Sequence, residues 1–173
     1  MTTFVSELSA LPDAEAADLL RSCCGASAWV EQMVAKRPFN SGTQLLETAD
    51  KVWKGLSTDE KREAFDHHPR IGEKLSAAAQ TDKAKAFAER EQANVRLASS
   101  SVHDQMSLIN RAYEQKFGFI YIVSAAGKDG HELIDLARKR IRNDAKTEIG
   151  IAEEEQMKIT RLRLEALIGV DAG

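Results

Sequence analysis

Prolines occupy only three of 173 positions, 12, 38 and 69. A chain so rarely interrupted, in which Ala, Leu, Glu, Lys and Arg recur throughout, is constrained towards helix. The apolar residues return at helical spacing between these breaks. A first helix is expected from Pro12, with Ser9 and Asp13 nearby, to a stop at Gly25. A second covers Ser27 to Lys36, with Trp29, Val30 and Met33 on one side, and ends before Arg37-Pro38. Leu45, Leu46, Ala49, Val52, Trp53 and Leu56 mark a third. Ser57-Thr58-Asp59-Glu60 forms a capping box that opens a short helix through Phe65.

The run from Asp66 through His67, His68, Pro69 and Arg70 to Gly72 cannot continue that helix. Pro69 disfavours the α region at His68, and Gly72 invites a turn. Helix resumes near Thr81 and runs past Glu91 and Gln92 towards Leu97. Another spans about Val102 to Lys116, with Gly118 as its cap. Phe119 to Val123 is β-branched and aromatic, but a lone strand has no partner, so an extended buried segment is expected. Asp129-Gly130-His131-Glu132 caps a helix to about Asn143. Thr147 opens the last, with Ile151, Met157, Ile159, Leu162, Leu164 and Leu167 as apolar positions. The expected fold is all-α: a single domain over residues 1–173, an irregular or orthogonal bundle of about eight helices with one short extended segment near 119–125.

A net charge of −3, with Lys and Arg spread among acids, leaves no footprint for nucleic acid. The longest apolar stretch, Phe119 to Ala126, is too short to span a bilayer, and the opening Met1-Thr2-Thr3-Phe4 shows no secretory signal. Val170-Asp171-Ala172-Gly173 is no peroxisomal address, so a cytoplasmic location is expected. Cys23 and Cys24 are adjacent, a poor geometry for pairing, and read as small core residues.

Three segments could carry chemistry. A histidine on the 66–72 loop is held by backbone rather than by a helical surface, and titrates where a proton can be given or taken; it could equally be an exposed turn residue. His67, His68, His103 and His131 lack zinc-site spacing, so no metal is expected. Glu89, Glu91 and Gln92 form either a solvated face or a pair of which one member turns inward to orient the loop histidine. Arg161 and Arg163 diverge by about 200°, so only one can face the core and grip a carboxylate; it could equally be a surface residue that only snorkels.

Taken together these residues resemble a known family. Cys24-Gly25-Ala26-Ser27-Ala28-Trp29, Arg37-Pro38-Phe39, Ala49-Asp50 before Trp53, His68-Pro69-Arg70-Ile71-Gly72 and Glu91-Gln92 occur in order. Asn110 to Glu114, Lys116-Phe117-Gly118-Phe119, Arg140 to Asp144, Glu148, Lys158-Ile159 and Leu162-Arg163-Leu164 complete the run. The chain is similar over nearly its whole length to the 2-oxo-4-hydroxy-4-carboxy-5-ureidoimidazoline (OHCU) decarboxylases.

The resemblance implies cofactor-independent decarboxylation of OHCU to (S)-allantoin in urate breakdown, with a small-molecule substrate and room for a homodimer. It carries the catalytic histidine onto His68, the carboxylate onto Glu91 and the substrate-holding arginine onto Arg163. His68 would protonate the intermediate, and Glu91 would fix the imidazole and raise its pKa. Pro69, Ala88, Gln92 and the run Tyr121, Ile122, Val123, Ser124 and Ala125 fall on substrate-binding positions. Ala88 stands where the family usually has serine, Ala93-Asn94-Val95 where a glycine-containing turn is usual, Ile120 where proline is common and Ser124 where cysteine is common. Those departures keep two alternatives in view: an enzyme of this fold for a related ureido or imidazolone acid, and a helical binding module without the chemistry.

Overall fold

The computed structural model describes residues 3–72 and 81–169, and these form ten helices with no strand. α1 (Phe4–Ala10) precedes the first expected helix; Thr3 caps it, and Phe4, Val5 and Leu8 are buried. α2 (Asp13–Arg21), α3 (Ser27–Ala35) and α4 (Gly42–Gly55) follow the expected periodicity. The Ser57–Glu60 capping box is formed in both directions and opens α5 (Thr58–Phe65). The helix expected from Thr81 to Leu97 is two, α6 (Asp82–Glu91) and α7 (Ala93–Arg96), because the backbone leaves helical geometry at Gln92. α8 (Ser100–Phe117) ends at Gly118, whose φ of +79° suits a residue without a Cβ.

Other boundaries shift. α9 (Gly130–Arg140) has the Asp129–Glu132 capping box but stops short of Asn143. α10 (Ala145–Gly169) begins before Thr147, because Asp144 Oδ1 accepts from Thr147 N at 2.7 Å and so caps the first turn. The count is therefore ten among the described residues rather than about eight. The all-α class holds, and residues 120–125, after a bend at Phe119, form neither helix nor strand. Val170 to Gly173, Met1 and Thr2 lie outside the described residues. No helix among the described residues is long and apolar enough to cross a membrane.

The buried side chains form two clusters. One joins α1 to α4 and takes Leu164 from α10; the other surrounds Tyr113, Tyr121, Ile122 and Leu133 and takes Ala152 and Ile159. At about 1.5 Å per residue, α10 is about 37 Å long, enough to run through both. It packs on α1, α4 and α5, while α8 packs on α9. Trp29 and Trp53 are core residues, each donating its indole N–H to a backbone carbonyl, of Ala49 and Glu153 respectively, at 3.1 Å.

Candidate active site

The 66–72 loop leaves α5 at Asp66 and is held on two sides. The side chain of Asn110 on α8 donates to the Ile71 carbonyl at 2.8 Å, and Gly72 N donates to Gln92 Oε1 at 3.0 Å. His68 and Pro69 thus meet the C-terminal end of α6. Opposite lies the 119–125 segment, which forms no ladder and leaves peptide groups unused by secondary structure. Between them lies a narrow cleft with a cavity volume of about 20 Å³, lined by His68, Pro69, Ile71, Ala88, Glu91, Gln92, Tyr121, Ile122, Val123, Ala125 and Ile159. That volume holds about one water molecule.

Of the residues expected at the site, two do not line this cleft. Ser124 is buried behind it, with its carbonyl accepting from Lys128 Nζ at 2.9 Å. Arg163 lines two neighbouring cavities, one shared with His68 and one shared with Glu91. His68, Glu91 and Arg163 therefore meet at the junction of three adjoining spaces, each residue common to two of them.

Their pairing differs from expectation. Arg163 donates through Nε and Nη2 to the two Glu91 carboxylate oxygens at 2.7 and 3.0 Å, and through Nη1 to the Ser22 carbonyl at 3.2 Å. Its guanidinium also lies 5.5 Å from the Phe87 ring centre. Glu91 is thus bound to the arginine rather than to the imidazole. His68 Nε2 lies 2.6 Å from Gln156 Oε1, an acceptor, so the ring donates there. The expected rise in the His68 pKa is reversed. Burial first, then the Arg163 charge, push the imidazole down to about 3, with His67 adding to the fall and the Gln156 hydrogen bond opposing it. His68 is neutral across the neutral range. Of the two α10 arginines, Arg163 is the inward one, 4% exposed, while Arg161 pairs with Asp50 and Glu165.

Gln156 was not singled out by sequence reasoning. The available signal was its seven-residue offset from Arg163, two turns along α10, which places both on one helix face. A second network also went unread. Glu148, fully buried, accepts from Arg140 Nε at 2.7 Å, from Asn143 Nδ2 at 3.1 Å and from the Tyr113 hydroxyl. Arg140 Nη1 donates to the Ile122 carbonyl at 2.6 Å and thereby fixes the backbone wall of the cleft. Burial pushes the Cys23 and Cys24 thiols up to about 12 and about 11, which suits core residues rather than nucleophiles. No cluster of three or more His, Cys, Asp or Glu side chains suited to a metal ion occurs among the described residues.

The sequence pattern of the OHCU decarboxylase family matches residues 9–165. The uric acid degradation bifunctional protein TTL of Arabidopsis thaliana is 32% identical over 87% of this chain, which spans 46% of that protein. For the bifunctional protein of Bacillus sp. (strain TB-90) the identity is 26% and the chain spans 32% of its length, so the chain covers less than half of either relative. The 2-oxo-4-hydroxy-4-carboxy-5-ureidoimidazoline decarboxylase of Haloferax volcanii is 24% identical over 80% of each chain. A solved OHCU decarboxylase, crystallised in the presence of (S)-allantoin, superposes with a TM-score of 0.75 at 31% identity, covering 88% of this chain and 98% of that one. With the helices, the cleft and this match in agreement, the chain belongs to the OHCU decarboxylase family.

Proposed function

We propose that this chain decarboxylates OHCU to (S)-allantoin, with the cleft between the 66–72 loop, α6 and the 119–125 segment as its active site. The observation that carries the reading is the meeting of His68, Glu91 and the 121–125 segment in one cleft, in a chain that matches nearly all of a solved OHCU decarboxylase. The substrate needs no external electron sink. When the bond from C4 to its carboxylate breaks, the electron pair forms a C4–C5 double bond and moves the adjacent C=N pair onto nitrogen. Two hydrogens then remain to be placed, one on that nitrogen and one on C5, while the C4 hydroxyl becomes a carbonyl. One comes from solution and the other is the hydroxyl's own.

A neutral His68 suits that inventory. It takes the hydroxyl proton as the carbonyl forms and delivers a proton to one face of C5, which sets the configuration. Acid–base help of this kind supplies about 10²- to 10⁴-fold. Glu91, held by Arg163, presents carboxylate oxygens to the ureido N–H groups, and the peptides of Ile122 and Val123 bind the flat ring. Arg163 acts through Glu91 rather than on the departing carboxylate, which avoids stabilising the ground state. Ala88 in the cleft wall favours a second reading, a related ureido or imidazolone acid as substrate, because no hydroxyl is offered there.

Freshly generated OHCU, followed together by ultraviolet absorbance and circular dichroism, tests the proposal. Catalysis gives accelerated, optically active product. Racemic product at the spontaneous rate would leave a binding module, and acceleration only with an analogue would support the second reading.

A further inference from the structure

The chemistry above requires one particular imidazole nitrogen to be bare, and the groups behind His68 determine which. Gln156 Oε1 lies 2.6 Å from His68 Nε2, and Gln156 Nε2 donates to Thr160 Oγ1 at 3.1 Å, one turn further along α10. The donors therefore run one way, from His68 to Gln156 to Thr160. Gln156 is fully buried and Thr160 is 5% exposed, so no water competes for the amide. An amide oxygen can only accept, so the imidazole hydrogen sits on Nε2. Nδ1 has no hydrogen-bond partner among the described residues.

We infer that Gln156 is a positioning residue: its amide, oriented by Thr160, locks His68 in the Nε2–H tautomer and makes Nδ1 the nitrogen that exchanges protons with the substrate. This rests on the functional reading for its kinetic consequence but not for its structural one. The charged and titratable groups around the ring are Arg163 on α10, Glu91 on α6, His67 on the same loop and Arg21 of α2 across the adjoining cavity. Of these, none replaces Gln156 at Nε2.

The test is ¹⁵N NMR of histidine-labelled full chain, with the His68 resonances identified by their loss in His68→Asn. Wild type is expected to show a protonated Nε2 and a bare Nδ1 from pH 5 to 8. Gln156→Met, which keeps bulk and removes the acceptor, is expected to mix the tautomers and lower kcat by about 10- to 100-fold, the scale of lost outer hydrogen-bond partners, with KM within about twofold. Gln156→Glu retains an acceptor, so it is expected to restore the Nε2–H form and most of kcat, and to move the acid limb of the rate profile upward in pH. Should Gln156→Met not fold, Thr160→Val, which frees the amide to turn, carries the same expectation more weakly. A wild-type His68 protonated on Nδ1, or tautomer and kcat unchanged in both variants, overturns the inference. An inactive wild type with the Nε2–H tautomer would instead sink only the functional reading.

Discussion

Arg163 and Glu91 illustrate how a buried charge is tolerated. The arginine is 4% exposed and meets its carboxylate partner with two parallel hydrogen bonds, a geometry that lysine cannot reproduce. Glu91→Gln leaves that guanidinium without its counter-charge, and a loss of about 3 kcal/mol in denaturant unfolding is expected, together with loss of turnover. Stability equal to wild type would show the pair to be worth little. His68 makes a second prediction, with the sign following from its depressed pKa. The unfolded imidazole takes up a proton near its ordinary value of 6.5, whereas the folded one does so only near 3. The stabilising effect of a neutral, folded His68 is complete above about pH 6.5 and is lost progressively as pH falls towards 3. Between pH 7 and 4.5, His68→Asn should therefore lose less stability than wild type; equal losses would contradict the depression. A loop histidine and an inward arginine were legible as candidates from the turn at Pro69 and the apolar stripe of the last helix, but the choice of His68, Glu91 and Arg163 came from the family resemblance. Their pairing was not legible, since which carboxylate meets which cation depends on how far α10 slides past α6, and nothing local encodes that.

At the scale of elements, the loop that carries His68 depends on a glycine distant in sequence. Gly25 follows α2, and a Cβ there would lie 2.6 Å from the His67 Cβ and overlap the ring. Gly25→Ala is expected to displace the loop and lower kcat by more than about tenfold, the effect of a misplaced reacting group; unchanged kcat would mean that the loop adapts freely. The 119–125 segment depends likewise on α9 and α10, through the Arg140 bond to the Ile122 carbonyl. Glu148→Ala removes the group that Arg140, Tyr113 and Asn143 share, and a loss of about 3–5 kcal/mol is expected for a pair this deeply buried, measured as the shift in urea midpoint. Helix positions followed from periodicity and caps almost throughout. Phe4–Ala10 was missed because seven residues hold too little pattern, and the break at Gln92 because that residue's amide holds the Gly72 backbone, a contact twenty positions away.

For the whole molecule, α10 links everything: it takes part in both apolar clusters and carries Glu148, Gln156, Thr160 and Arg163 along one buried polar stripe. The long helix contributes Ile159 to the cleft and holds His68 through Gln156 and Glu91 through Arg163. The all-α class was readable from three prolines and helical spacing, but the stripe was not, because polar residues on a long helix ordinarily face water. The account stands or falls on whether the cleft performs the reaction through His68. The deciding measurement is the rate at which optically active allantoin appears from freshly made OHCU, in wild type and in His68→Asn of equal thermal stability. A wild-type rate well above the spontaneous one, falling by about 10²-fold or more in the variant, is predicted. Equal rates in the two proteins, or a product without optical activity from both, would contradict it.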